Sequence, residues 1–147
     1  MDISGAENEF RTLRGGEGCP YSKRLPTSEA SSAGAVLEPG DGGYEEARKV
    51  YNAMIDRKPR LIVKCTDVGD VMAAVRMAKT NALRVSIRGG GHTAAGLGVC
   101  DDGLVIDLAP IKYVRVDPST RTVLVGAGCK WSDVDHATHA FGLEDLT

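Results

Sequence analysis

No apolar run in the chain approaches the ~18 residues that a membrane-spanning helix needs. The opening residues, Met1-Asp2-Ile3 onward, have neither the basic start nor the apolar centre of a secretory signal. Neither a membrane partner nor an export route is expected, and the chain reads as cytoplasmic. Positive charge is not in excess either: 18 Lys and Arg stand against 20 Asp and Glu, for a formal net charge of −2. That balance offers no electrostatic footprint for nucleic acid or an anionic membrane surface. There is no C-x-x-C pair. Cys19, Cys65, Cys100 and Cys129 are far apart, so they are read as free thiols of a reducing compartment. His136 and His139 lie three apart on a candidate helix without a third ligand at useful spacing, and no metal site is expected.

What the chain does have is glycine, concentrated where it matters. Arg84-Val85-Ser86-Ile87-Arg88 is a short β-like run that breaks into Gly89-Gly90-Gly91-His92-Thr93-Ala94-Ala95-Gly96-Leu97-Gly98. Three consecutive residues without Cβ let the backbone turn left-handed and come into contact with a ligand, and successive amide N–H groups in such a turn form a nest for phosphate. Arg88 and His92 beside the glycines favour a functional loop over a plain turn. A P-loop is excluded because no Gly-Lys-Ser/Thr follows. Gly89 to Ala94 formally fits the dinucleotide pattern G-x-G-x-x-G/A, but that pattern must open a helix. Here the chain instead passes further glycines and an Asp101-Asp102-Gly103 turn into the strand-like Leu104 to Leu108.

At 147 residues the chain is one domain by length. Residues 1–43 are rich in Gly, Ser, Pro and Glu without lasting apolar periodicity, and read as a flexible N-terminal segment. Tyr44 to Ile55 carries Tyr44, Ala47, Tyr51 and Met54 or Ile55 on one helical face. Leu61 to Cys65 predicts a buried strand. Val68 to about Lys79 follows the helical period, with Asp67 as N-cap, Asp70 three residues on and Asn81 as C-terminal cap. With Arg84 to Arg88 as the next strand, residues 61 to 88 predict a βαβ unit, which puts the glycine loop at the carboxyl end of a strand, where open α/β sheets bind ligands. Three more strands are expected over Gly103–Leu108, Tyr113–Val116 and Thr122–Gly126, the last two joined by Asp117-Pro118-Ser119-Thr120-Arg121 as a hairpin. Ser132-Asp133-Val134-Asp135 reads as a capping box opening a final helix that Gly142 stops. Trp131 is read as a packing residue. The fold class is α+β: a βαβ unit, an antiparallel hairpin region and a closing helix.

Taken in order, Tyr44-Glu45-Glu46-Ala47-Arg48, Pro59 to Val63, Val71 to Val75, Val85 to His92, Leu104 to Leu108 and Gly126-Ala127-Gly128-Cys129-Lys130-Trp131 resemble the N-terminal part of the FAD-binding (PCMH-type) domain of the vanillyl-alcohol oxidase superfamily, closest to the berberine bridge enzyme-like FAD-linked oxidoreductases. The resemblance implies that residues 44–147 are part of such a domain and that the cofactor is FAD. It places Arg88, Gly89, Gly90, Gly91, His92, Thr93 and Gly96 at the cofactor, with the loop on the pyrophosphate and His92 as the covalent anchor on the flavin 8α carbon. Arg88 is open to two roles, supporting the pyrophosphate or pairing with Asp107. No catalytic residue is assigned. The complete enzyme would oxidise a small molecule, a sugar, alcohol or alkaloid-like compound, by hydride transfer to flavin. The family pattern continues beyond the last helix, so this chain is expected to be a partial domain, completed by further sequence or by a separate chain; a non-catalytic remnant and a noncovalent FAD module are the alternatives.

Overall fold

The computed structural model describes residues 34–143. Its main sheet has the strand order β1-β2-β4-β3, from β1 (Ala35–Leu37), β2 (Leu61–Lys64), β3 (Val85–Arg88) and β4 (Leu104–Asp107). β2 and β3 both run parallel to β4, and β1 is antiparallel to β2. The two central strands are almost wholly apolar because both of their faces are covered. Leu61, Val63, Leu104 and Ile106 pack with Ala74 of helix α2 (Val68–Thr80) on one face. Ile62 and Val105 pack on the other face with Tyr44, Ala47 and Val99. Tyr44, at the start of the one-turn helix α1 (Tyr44–Ala47), donates its hydroxyl to the carbonyl of Pro59 at 2.6 Å, which satisfies the one polar atom this core ring carries.

The expected strand-helix-strand unit forms, but its two strands are not neighbours: β4 lies between them. The chain leaves β3 through residues 89–103 and returns in parallel to fill the gap, so β4 belongs to the parallel sheet and not to the hairpin region. The hairpin itself is β5 (Val114–Asp117) paired with β6 (Thr122–Val125). Asp117 Oδ1 accepts from the Ser119 amide and hydroxyl and from the Thr120 amide, which turns the chain. Helix α3 (Trp131–His139) packs on β5.

Both ends of α2 are capped as the sequence predicts: Asp67 accepts from the Asp70 amide at 2.9 Å, and Asn81 Nδ2 donates to the Met77 carbonyl at 2.7 Å. Asp70 does more than stand in a cap. Its carboxylate is 1% exposed and accepts from the Thr66 amide and hydroxyl and from the Gly34 amide, tying the entry of β1 to the end of β2. Burial pushes the Asp70 carboxyl up, but these hydrogen bonds outweigh it and hold the group below the ordinary carboxylate range.

Four further expectations are corrected. β1 occupies Ala35–Leu37, inside the segment expected to be flexible, because those residues add an antiparallel strand to β2; residues 1–33 lie outside those described. The helix expected to Ile55 stops at Ala47. Helix α3 opens earlier than the Ser132 box implies: Lys130 is its N-cap, and Asp133 closes back on the Lys130 amide at 2.8 Å. Trp131 is not a packing residue, since it is 71% exposed.

Candidate functional site

The glycine loop leaves the carboxyl end of β3 as predicted, and the register of the sheet explains why it is anchored there. Lys64, Asp107 and Arg88 are partners across β2, β4 and β3, so one acid lies in register between two cations at the carboxyl end of the sheet. Arg88 Nη2 donates to Asp107 Oδ2 at 2.7 Å, and the two side chains are 8% and 6% exposed. The second Asp107 oxygen accepts from the Ala109 amide at 3.1 Å. Of the two roles open to Arg88, the geometry shows the pair with Asp107. Its stem runs beneath the loop, against Gly91 and Gly98, and its Nη1 donates to the carbonyls of Ala47 and Lys49.

Those last contacts fall where α1 ends. In a continuing helix the Ala47 carbonyl would accept from the Tyr51 amide. Arg88 takes that carbonyl, and the Tyr51 amide instead donates to the Gly91 carbonyl at 3.1 Å. Residues 48–60 are thereby laid along the far side of the loop. Asn52 Nδ2 bonds the Ala94 carbonyl, Arg57 bonds the Val99 carbonyl, and the Lys58 amide donates to Asp101. A second glycine segment, Gly126-Ala127-Gly128, packs from the other side, and a Cβ on Gly89 would lie 2.6 Å from the Ala127 carbonyl oxygen. Gly91 has φ +73°, a conformation that any larger residue would strain.

Two clefts meet at this loop. One, of about 710 Å³, is lined by Gly89, Gly90, Gly91 and His92 together with Lys49, Lys64, Lys112 and Lys130. Glu46 and Asp107 also reach it, yet cations outnumber acids there in a chain that is acidic as a whole. The other, of about 670 Å³, shares Gly90, His92 and Lys130 and adds the more apolar Val125, Cys129, Trp131 and Val134. His92 is exposed at the junction, with its ring 5.4 Å from that of Tyr51. A glycine backbone, four lysines and an adjoining apolar cleft fit a ligand that joins a pyrophosphate to a planar aromatic system.

A family described as FAD binding domain matches residues 59–144. The chain belongs to this family of FAD-binding domains. FAD is therefore its cofactor, and the glycine loop at the end of β3 is part of the matched region. Among curated proteins, the chain is 32% identical over 126 residues to (R)-6-hydroxynicotine oxidase of Paenarthrobacter nicotinovorans, covering 86% of this chain and 27% of that enzyme. Among solved structures, the FAD-binding domain is similar to 6-hydroxy-D-nicotine oxidase from Arthrobacter nicotinovorans, with TM-score 0.71, 31% identity, and coverage of 74% of this chain and 24% of that one. It is also similar to the berberine bridge enzyme-like protein 1 of Physcomitrella patens, with TM-score 0.67 and 31% identity over 73% of this chain and 24% of that one. The chain thus spans about a quarter of the length of these relatives.

Of the loop residues named from the sequence, Gly89, Gly90, Gly91 and His92 line the FAD-binding domain's clefts, and Arg88 reaches one from below while buried in its ion pair. Thr93 and Gly96 line neither cleft, and Ile55 fills the space a Cβ on Gly96 would need. Tyr51 and the four lysines were not found from the sequence. For Lys64 the available signal was the charge ending each of β2, β3 and β4, and the register that aligns those charges is a long-range property; the others carried no local signal. Cys65 and Cys100 are buried away from the clefts, and burial first, then the nearby Asp70 charge, pushes the Cys65 thiol up to about 12.

Proposed function

We propose that this domain binds FAD with the pyrophosphate on the backbone of Gly89 to Gly91 in the lysine-lined cleft, and that it serves an FAD-linked oxidoreductase. The single observation that carries the reading is the glycine loop at the carboxyl end of β3, braced from below by the Arg88–Asp107 pair and open on its outer side to a basic cleft. Lys49, Lys64, Lys112 and Lys130 supply positive charge to the anion, and Arg88 holds the loop. When bound, FAD supplies the hydride-accepting chemistry that a protein side chain lacks.

His92 is proposed as the attachment point for the flavin. Its exposure at the junction of the two clefts leaves an imidazole nitrogen accessible there, and neutral imidazole is a competent nucleophile. Attachment of His92 at the 8α carbon would replace an N–H and a C–H bond by one N–C bond, with dioxygen taking the two hydrogens as hydrogen peroxide. The complete enzyme's substrate is proposed to be a small sugar, alcohol or alkaloid-like molecule, bound with the help of sequence outside these 147 residues or by a separate chain.

The test is to titrate the purified chain with FAD and with NAD, following Trp131, the one tryptophan, which lies on the apolar cleft. Saturable quenching by FAD and none by NAD is expected; the reverse would overturn the assignment. After incubation with excess FAD, intact mass should rise by one flavin, and His92→Ala should abolish that gain. An adduct that persists in His92→Ala would place the attachment elsewhere.

A further inference from the structure

Tyr51 is an anomaly in the fold. It is 78% exposed, so its ring adds little to the core, yet its backbone and side chain both engage the glycine loop. Its amide holds the Gly91 carbonyl at 3.1 Å, immediately before His92. The next residue, Asn52, holds the Ala94 carbonyl at 3.0 Å, two residues after His92, while its own Oδ1 accepts from the Met54 amide at 3.1 Å. The dipeptide therefore grips the loop on both sides of the histidine. Between these two grips, the Tyr51 ring meets the His92 ring at 5.4 Å with an interplanar angle of 42°, within the range at which aromatic rings attract. Both side chains line the same lysine-rich cleft.

An exposed imidazole on a glycine-rich loop would otherwise sample several rotamers, and each unproductive rotamer lowers the fraction ready to react. We infer that Tyr51 is a positioning residue for His92: its ring restrains the imidazole at the junction of the two clefts, so that a ring nitrogen faces bound flavin. This rests on the proposed attachment through His92. The contact needs the aromatic face and not the hydroxyl, because the geometry is ring to ring. Phenylalanine should therefore substitute for Tyr51 and alanine should not. The backbone grip by the residue-51 amide is common to all three side chains, which separates ring positioning from loss of the loop.

The experiment uses the full chain with Tyr51→Phe and Tyr51→Ala, and has two readouts. In the flavin-free chain, NMR of the His92 ring protons should show a ring-current displacement in the parent and in Tyr51→Phe that is lost in Tyr51→Ala; an unchanged His92 signal in Tyr51→Ala would overturn the contact. With FAD raised to saturation separately for each variant, the rate of covalent incorporation, read as flavin fluorescence in acid-precipitated protein, should fall about 10- to 100-fold in Tyr51→Ala and stay within about twofold in Tyr51→Phe. Equal incorporation rates in the parent and Tyr51→Ala would overturn the role of Tyr51 alone. A parent chain that binds FAD but never attaches it would overturn attachment through His92, and with it this role.

Discussion

Removing either member of the Arg88–Asp107 pair should damage the domain more than its size suggests. The side chains are 8% and 6% exposed and meet at 2.7 Å, so a lone survivor would be a buried charge whose partner has gone. Breaking such a pair costs about 3–5 kcal/mol. Against a total of about 5–15 kcal/mol for a domain of this size, a single change leaves the fold marginal. The set to make is Arg88→Met, Asp107→Asn and the double variant, measured by urea unfolding of the flavin-free chain. With a urea slope of about 1–3 kcal/mol per molar, each single change should lower the midpoint by about 1 M or more. The double variant leaves no buried charge and should be more stable than the sum of the singles predicts, by about 0.5–3 kcal/mol. It should not return to the parent value, because Arg88 also satisfies the Ala47 and Lys49 carbonyls. Added salt should change these differences little, since burial shields the pair from screening. Single variants that each cost under about 1 kcal/mol and add in the double would refute the clamp.

Asp70 predicts a pH dependence. Its folded-state carboxyl is held below its ordinary range by the Thr66 and Gly34 hydrogen bonds, so its contribution is present above the unfolded value near ~4 and is lost as pH falls through the lower folded value. Stability should drop on acidification below about pH 4, and Asp70→Asn should cost about 1.5–3 kcal/mol at neutral pH while flattening that acid limb; an unchanged limb would remove Asp70 as its cause. Gly89→Ala drives a methyl group to 2.6 Å from the Ala127 carbonyl oxygen. It should cost about 1–3 kcal/mol and weaken FAD binding in equilibrium titration, and a variant that binds FAD as the parent does would show that the loops need not touch. The Cys65 thiol, buried and pushed up to about 12, should resist iodoacetamide at pH 8 in the folded chain while the half-buried Cys129 reacts. Peptide mapping reads both sites, and equal labelling would show that the core opens.

Much of the fold is written in local chemistry. The caps of α2, the Asp117 turn and the glycine loop after β3 each depend on residues within a few positions of one another, so the sequence by itself determined them, along with the α+β class and the family resemblance that pointed to FAD. The apolar run of β2 likewise announced a buried strand, and that of β4 a strand. Tertiary structure alone decided what depended on distant partners. β4 entered between β2 and β3 because parallel pairing is a long-range choice that no local pattern specifies. β1 became a strand because β2 offered it an edge. The helical pattern of Tyr44 to Ile55 ends after Ala47, where the carbonyl accepts from a guanidinium 41 positions away and the Tyr51 amide donates to Gly91 in place of a helical bond. The bond from the Tyr51 amide to Gly91 joins residues 40 positions apart, so the histidine environment follows from partners that meet only in three dimensions.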